Sequence, residues 1–395
     1  MFPFKKYESI YHNHQFIRQI SIEQEIITCD QSGNSVDCRE LLELAKKIKN
    51  TEFQILRGAG IESLEIVLQK PQKTIQDVKQ KFLNLIKSLT HAANCLNIYL
   101  VGLGLPPRSL ITKIYDLESR YQILLNKASD KNSAMLASAT ASNQATIDIK
   151  KEEIIDVLNV FNGFSGFFIA FFANSAIYNN KILNDLCGRQ TIWKAADKKF
   201  IFMPPQFNSL NEYFNFVCRQ NYTEKDFSIL ERSVRMDCRF RRNFKSVEIR
   251  MACQQFPQDS LAVGALSLGL IENIKKAKNL LKYFKYDELF NLKNKAVRSG
   301  FCEFTKKEKN FAIHLITLAK EGLGKRKNNE EKFLKSLEKR VKNRISPANI
   351  SIAIFRKNGI ESLVQKSSWN HYFELDTKYH FVKRFFDRFF QHKTP

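Results

Sequence analysis

RMDCRFRRNFKSVEIRMACQQF, residues 235–256, ends in a run of alternating character that decides how the chain is read. With Ser246–Met251 as a strand, Ser246, Glu248 and Arg250 share one face, while Val247, Ile249 and Met251 line the other. A carboxylate and a guanidinium two residues apart admit two readings. One is an ordinary solvent-facing pair. The other is a site in which Glu holds a divalent metal and Arg holds phosphate, both of which suit ATP chemistry.

The same alternation recurs outward along the chain. In SIEQEII, residues 21–27, Glu23 and Glu25 point together while Ile22 and Ile26 point away. Two like charges side by side repel, so away from bulk water they call for a cation, and Mg²⁺ held by one or two carboxylates plus substrate phosphates answers that need. SLEIVL at 63–68 sets Glu65 in an apolar strand, and NQATIDI at 143–149 sets Gln144, Thr146 and Asp148 opposite Ala145, Ile147 and Ile149. Four strands with one polar face predict an α+β fold: an antiparallel sheet whose polar face floors a site and whose other face packs on helices.

The order and spacing of these segments resemble the carboxylate-amine ligase and glutamate-cysteine ligase family, whose members share the catalytic fold of glutamine synthetase. SIEQEIITCDQSGNSVD resembles the family's opening strand with two alternating glutamates, and LEIVLQKP the strand that carries a third. GLGLPPR and SRYQILLN, then ASATASNQATIDI, FFANSAIYNN, GRQTIW and MPPQFNSLNEYFNFV, follow in the family's order. MDCRFRRNFKSVEIR matches its Asp-x-Arg and Thr-x-Glu-x-Arg pattern, and LKNKAVRSGF a late Asn/Arg/Gly segment. There are departures: Ser21 stands for Gly, Gln144 for His, Ala176 for the turn proline and Cys253 for Asp. No acidic residue stands six or seven positions before Glu65, where many members have one.

The resemblance implies an ATP-dependent enzyme that forms an amide through an acyl phosphate, using the γ-carboxylate of glutamate and an amino acid such as cysteine. It implies Glu23, Glu25, Glu65 and Glu248 as metal ligands, Gln144 as a weaker one, and Mg²⁺ and ATP as cofactors. Arg250 clamps the transferred phosphate, Arg239 that phosphate or the substrate carboxylate, and Arg189 and Trp193 shape the pocket. A catalytically impaired relative, kept for binding or regulation, is the alternative that Cys253 and Ala176 raise.

Size and charge bound these readings. The 395 residues, 44% hydrophobic with 33 Phe, suffice for a substantial core. A formal charge of +23 attracts polyphosphate nucleotides, nucleic acid or anionic membrane alike, but no zinc-ligand pairs or aromatic RNA-binding motif accompanies it, so no specific nucleic-acid partner is expected. The eight cysteines show no C-x-x-C spacing and the N-terminus no apolar signal core, which predicts reduced thiols and a cytoplasmic protein. His12 and His14 read as solvated rather than as a chelating pair. Val157–Asn180 carries no charge, yet its asparagines, serines and glycines predict a buried helix rather than a membrane span.

Helices are expected over 36–50, 74–95, 113–127 and 210–218, then over 261–284, 303–323 and 329–341. The charged stretch 324–332 is the best boundary candidate. The division expected is a catalytic domain over 15–300 and a helical region over 301–395 that admits packing on the same domain. Phe381, Phe385, Phe386, Phe389 and Phe390 form one face of a basic terminal helix, suited to docking on its own domain or on a second subunit, which leaves a homodimer open, or to an anionic membrane.

Overall fold

The computed structural model describes residues 16–48, 52–108, 131–196, 202–220, 234–241 and 245–375. His12 and His14, the helix expected over 113–127 and the Phe-rich terminal helix lie outside the described residues.

Strand β1 (Ile20–Cys29) is the axis of the sheet. After helix α1 (Arg39–Ala45) come β2 (Phe53–Arg57) and β3 (Ser63–Leu68), and then helix α2 (Ile75–Cys95), whose Thr74 side chain caps the Asp77 N–H. Strand β4 (Tyr99–Val101), helix α3 (Lys131–Ser138) and strand β5 (Asn143–Asp148) follow. Next are α4 (Ile154–Gly163), α5 (Ser165–Phe172), a two-stranded hairpin β6 (Ile177–Tyr178) and β7 (Lys181–Ile182), α6 (Gly188–Ala196) and α7 (Leu210–Gln220). Strands β8 (Cys238–Arg241) and β9 (Ser246–Ile249) complete the sheet.

Its strand order is β2-β3-β1-β5-β9-β8, antiparallel throughout, with β4 also paired to β1. One edge of β1 pairs with β3. Along the other edge, β5 pairs from Ile20 to Gln24 and β4 from Ile27 to Cys29, so Glu25 sits at the changeover. This is the α+β arrangement expected. The two-residue alternation puts Ile20, Ile22, Ile26, Leu64, Ile66, Ala145, Ile147, Val247 and Ile249 into the core while their polar neighbours occupy the opposite face.

Behind the core face lie α2, α4 and α8 (Ala262–Glu272). Val157–Asn180 is not one helix: α4 and α5 meet at a 55° bend by Phe164, and the side chains from Phe167 to Ala173 are fully buried. Phe164, Phe167 and Phe171 of this pair pack against Phe284, Phe301, Phe304 and Phe311; the Phe167 and Phe311 rings stack at 5.0 Å. Among the described residues no single helix is long and apolar enough to cross a membrane.

The helical pattern expected over 261–284 is likewise broken, at Asn273, into α8 and α9 (Ile274–Leu281), because the Asn273 amide turns to the Leu318 carbonyl at 2.8 Å. Helix α10 (Tyr286–Ser299) packs on α5, and α11 (Lys306–Arg326) crosses α8. That crossing needs glycine: a Cβ on Gly269 would lie 2.3 Å from the Ala319 oxygen, and one on Gly322 2.0 Å from the Gly269 oxygen. Within 324–332, Glu330 is buried and accepts the Ile75 N–H at 2.7 Å, joining α11 to α2. Helix α12 (Lys335–Asn343) and α13 (Pro347–Ser367), which is kinked at Gly359 where φ is 76°, close the fold, and one hydrophobic cluster runs from Ile20 to Trp369.

Candidate active site

Register alone gathers the polar side chains. Glu25 lies across from Glu65, Glu23 across from Gln144, and Glu248 across from Thr146 on one side and Arg239 on the other. Directly opposed residues of an antiparallel pair have Cβ atoms about 5 Å apart, so these groups form one continuous face. Glu23, Glu25, Glu65, Glu248, Gln144 and Arg239 therefore come together on the sheet. Arg250, one residue past β9, joins them through Glu248.

The face is divided by charge. On β9 and β8, Glu248 is 1% exposed and both its oxygens are taken: Oε2 accepts from Arg239 Nε at 2.5 Å and an Arg241 guanidinium nitrogen at 3.1 Å, Oε1 from Arg250 at 3.3 Å. Burial pushes the Glu248 carboxyl up, but the fields of Arg239, Arg250 and Arg241 outweigh it and hold it well below the usual carboxylate range. One carboxylate shared by three guanidiniums leaves the surroundings cationic, which suits phosphate or a substrate carboxylate.

On β1 and β3 the balance reverses. Burial, then the charges of Glu65, Glu248 and Glu25, push the Glu23 carboxyl well above its ordinary value, with Arg250 only easing the effect. Glu25 is better satisfied, since its Oε2 accepts from the Ser142 N–H and hydroxyl, each at 2.6 Å, and its Oε1 from Gln144 Nε2 at 3.2 Å. Gln144 is 1% exposed and its Oε1 is buried without a hydrogen-bond partner.

These oxygen donors suit a hard cation. Among the described residues no three Asp, Glu, Cys or His side chains are gathered into a ready-made metal cage. The Gln144 oxygen has no hydrogen-bond partner and Glu23 lies across from Gln144 in the register, while Mg²⁺ commonly takes one or two protein carboxylates and completes its coordination with phosphate oxygens and water.

Arg189 and Trp193, expected to shape the pocket, are built into its supports. Arg189 is buried, and its guanidinium donates to the Arg250 carbonyl at 3.2 Å. Trp193 packs with Ala137 and Ala196, donates to Thr140 Oγ1 at 3.0 Å and carries the Arg235 guanidinium 3.6 Å above its ring. Cys253 also lies below the face, fully buried, with Ser175 Oγ at 3.3 Å and Cys187 Sγ at 3.5 Å. The Cys187 contact, against the opposing effect of burial and with help from Arg189 and Ser175, brings its thiol down to about 6. A residue so enclosed supports Arg189 rather than touching a ligand. Asn174, of the expected turn, bonds the carbonyls of Gly102 and Gln254 at 2.8 and 3.0 Å and pins two loops under the sheet end.

Several groups escaped the reading of the sequence. Arg241 carried a signal, its two-residue spacing from Arg239, and Ser142 stands two residues before Gln144. Lys293, fully buried and paired with Asp237 beneath Arg250, carried none, because a lysine on an amphipathic helix ordinarily faces water. Glu62 was hidden in a turn: burial, with a smaller contribution from Asp37 and against its own backbone N–H, raises its carboxyl to about 7, and its Oε2 has no partner.

A profile of Glutamate-cysteine ligase family 2 matches residues 20–366. The chain belongs to this family. Among solved structures, the glutamate-cysteine ligase of Francisella tularensis in complex with AMP is similar over 90% of this chain and 89% of its own, with a TM-score of 0.62 at 14% identity. A bifunctional glutathione synthetase from Pasteurella multocida is similar over 88% of this chain and 51% of its own, with a TM-score of 0.59 at 12% identity. This chain thus spans about half of that bifunctional protein. No curated protein matches. At these identities the two structures establish the fold, and the profile establishes membership of a ligase family.

Proposed function

We propose that this glutamate-cysteine ligase family member is an ATP-dependent carboxylate-amine ligase, joining the γ-carboxylate of glutamate to the amine of an amino acid such as cysteine. The observation that carries the reading is the divided face: crowded carboxylates on β1 and β3, with the Gln144 oxygen, beside a cluster of three guanidiniums on β8 and β9.

In the reaction, a substrate carboxylate oxygen bonds to the terminal phosphorus of ATP, and the bond from that phosphorus to the bridging oxygen breaks, releasing ADP. The amine nitrogen then bonds to the acyl carbon. Phosphate departs and carries away the proton that the nitrogen loses. Arg250 and Arg239, with Arg241 beside them, face the negative charge of the phosphoryl group or substrate carboxylate, and their fixed positions lower the cost of charge that develops there. Glu248 orients all three guanidiniums. Glu23, Glu65 and Gln144 would hold Mg²⁺, with Glu25 beside them, and the ion when bound neutralises phosphate charge. Asp237 fixes the backbone at Arg250, whose N–H donates to the Asp237 carbonyl at 2.8 Å, and Lys293 anchors the Asp237 side chain. The eight cysteines, none of them in a disulfide, suit a reducing cytoplasm.

The test is to incubate the purified protein with Mg-ATP, glutamate and a panel of amino acids, measuring ADP and the condensed product by mass spectrometry. ADP that depends on both glutamate and one amine is expected, and Glu248→Gln should abolish it. An unchanged rate in that variant contradicts the site, and no condensation with any pair favours an impaired relative.

A further inference from the structure

Ser142 sits at the changeover between β4 and β5, where its carbonyl accepts the Glu25 N–H at 3.0 Å. Its hydroxyl stands between two site residues. The single hydroxyl proton goes to Glu25 Oε2 at 2.6 Å, because a carboxylate can only accept. Its lone pairs then take an N–H from Gln144 Nε2, at 2.9 Å. The other amide hydrogen goes to Glu25 Oε1 at 3.2 Å. Both hydrogens of the Gln144 amide are thereby committed toward Glu25 and Ser142. The amide oxygen is left on the side away from Glu25 and Ser142, and Glu23 lies across from Gln144 in the register. This oxygen, Oε1, is buried without a partner. A flipped amide would set its oxygen against Glu25 and turn hydrogens, useless to a cation, to the opposite side.

We propose that Ser142 is a positioning residue: it locks the Gln144 amide so that Gln144 Oε1 and Glu23, rather than Glu25, form the pair of oxygens offered to a divalent ion. Ser142 itself touches no ligand. Glu25 becomes the anchor of the lock, each of its oxygens already accepting a hydrogen bond. This rests on the reading above that a divalent ion accompanies the nucleotide.

The test uses Mn²⁺ as the probe, its binding to the full chain followed by electron paramagnetic resonance with and without ADP. Ser142→Ala should weaken Mn²⁺ about 10-fold, the low end for an outer partner of a ligand. Ser142→Thr, which keeps the hydroxyl, should stay within about twofold by the same logic. Gln144→Glu separates positioning from a general structural role, because its two oxygens are equivalent and have no wrong end. In that background, Ser142→Ala should leave Mn²⁺ binding unchanged. Wild-type affinity in Ser142→Ala overturns the inference alone, as does a persistent loss in the double variant. If the wild-type chain takes up no Mn²⁺ with or without ADP, the divalent-ion reading fails and the inference with it. Should Ser142→Ala not fold, Ser142→Cys, which keeps the volume with a weak donor, carries the same comparison.

Discussion

The two ends of the polar face solve opposite electrostatic problems. On β8 and β9 a buried Glu248 has more than enough positive charge around it, and its carboxyl is held low. On β1 and β3 a crowded Glu23 has too little, and its carboxyl is driven up. Between them β5 contributes the uncharged Gln144 and Thr146. In the first, the carboxylate is satisfied within the protein and positive charge is left over; in the second, like charges are left that a bound cation would relieve. The proposed cation site gives this repulsion a use that stability alone does not.

The difference can be broken most forcefully at Glu248. Glu248→Ala strands three guanidiniums, and loss of one partner of a buried ion cluster costs about 3–5 kcal/mol, readable as a lower denaturant midpoint. A variant as stable as the parent would show that the cationic end does not depend on this carboxylate. Away from the face, in the turn before β3, the buried Glu62 gives a second carboxyl to compare through pH. Its folded carboxyl, near 7 against an ordinary 4.5, binds a proton that the unfolded chain releases. Stability from this group is therefore complete below about 4.5 and lost as pH rises through about 7, a span worth about 3 kcal/mol. Glu62→Gln should remove that slope and gain stability at pH 8 but not at pH 4; equal pH profiles would refute it.

Smaller effects are expected closer to the division. Glu23→Gln relieves like-charge repulsion and should raise stability at neutral pH by about 1 kcal/mol while losing divalent-dependent turnover, the trade-off expected of a site residue. Calorimetry and activity on the same sample check both signs. Arg241→Gln, whose side chain is 23% exposed, should cost under about 1 kcal/mol yet weaken an anionic ligand, measured as a raised KM with thermal stability nearly unchanged.

How much of this the sequence carried depended on the period of the pattern. Strands β1, β3, β5 and β9 were legible because a two-residue alternation of Glu, Gln and Arg with Ile, Val and Ala has one physical meaning, and the same alternation put the site residues on one face. The charged run at 324–332 shows the opposite: its composition makes it the boundary candidate and says nothing of Glu330, which is drawn inward by the Ile75 N–H. Asn273 and Phe164 break helices whose apolar periodicity runs on past them, since the break follows from a partner, Leu318, or from packing distant in sequence. The division of the face was out of reach for the same reason. That Glu248 turns to three arginines while Glu25 turns to Ser142 depends on which strands neighbour which, and alternation alone does not fix strand order.

The central claim is that β1, β3 and β5 provide for a cation and β8 and β9 for an anion, so that a metal–nucleotide complex spans both. Calorimetric titration of ADP with and without Mg²⁺, for the wild-type chain and for Glu23→Gln, tests it most directly. Mg²⁺ should tighten ADP binding to the wild-type chain, and Glu23→Gln should bind ADP at the weaker, Mg²⁺-independent level. Binding to the wild-type chain that ignores Mg²⁺, or a full Mg²⁺ enhancement in Glu23→Gln, would contradict it.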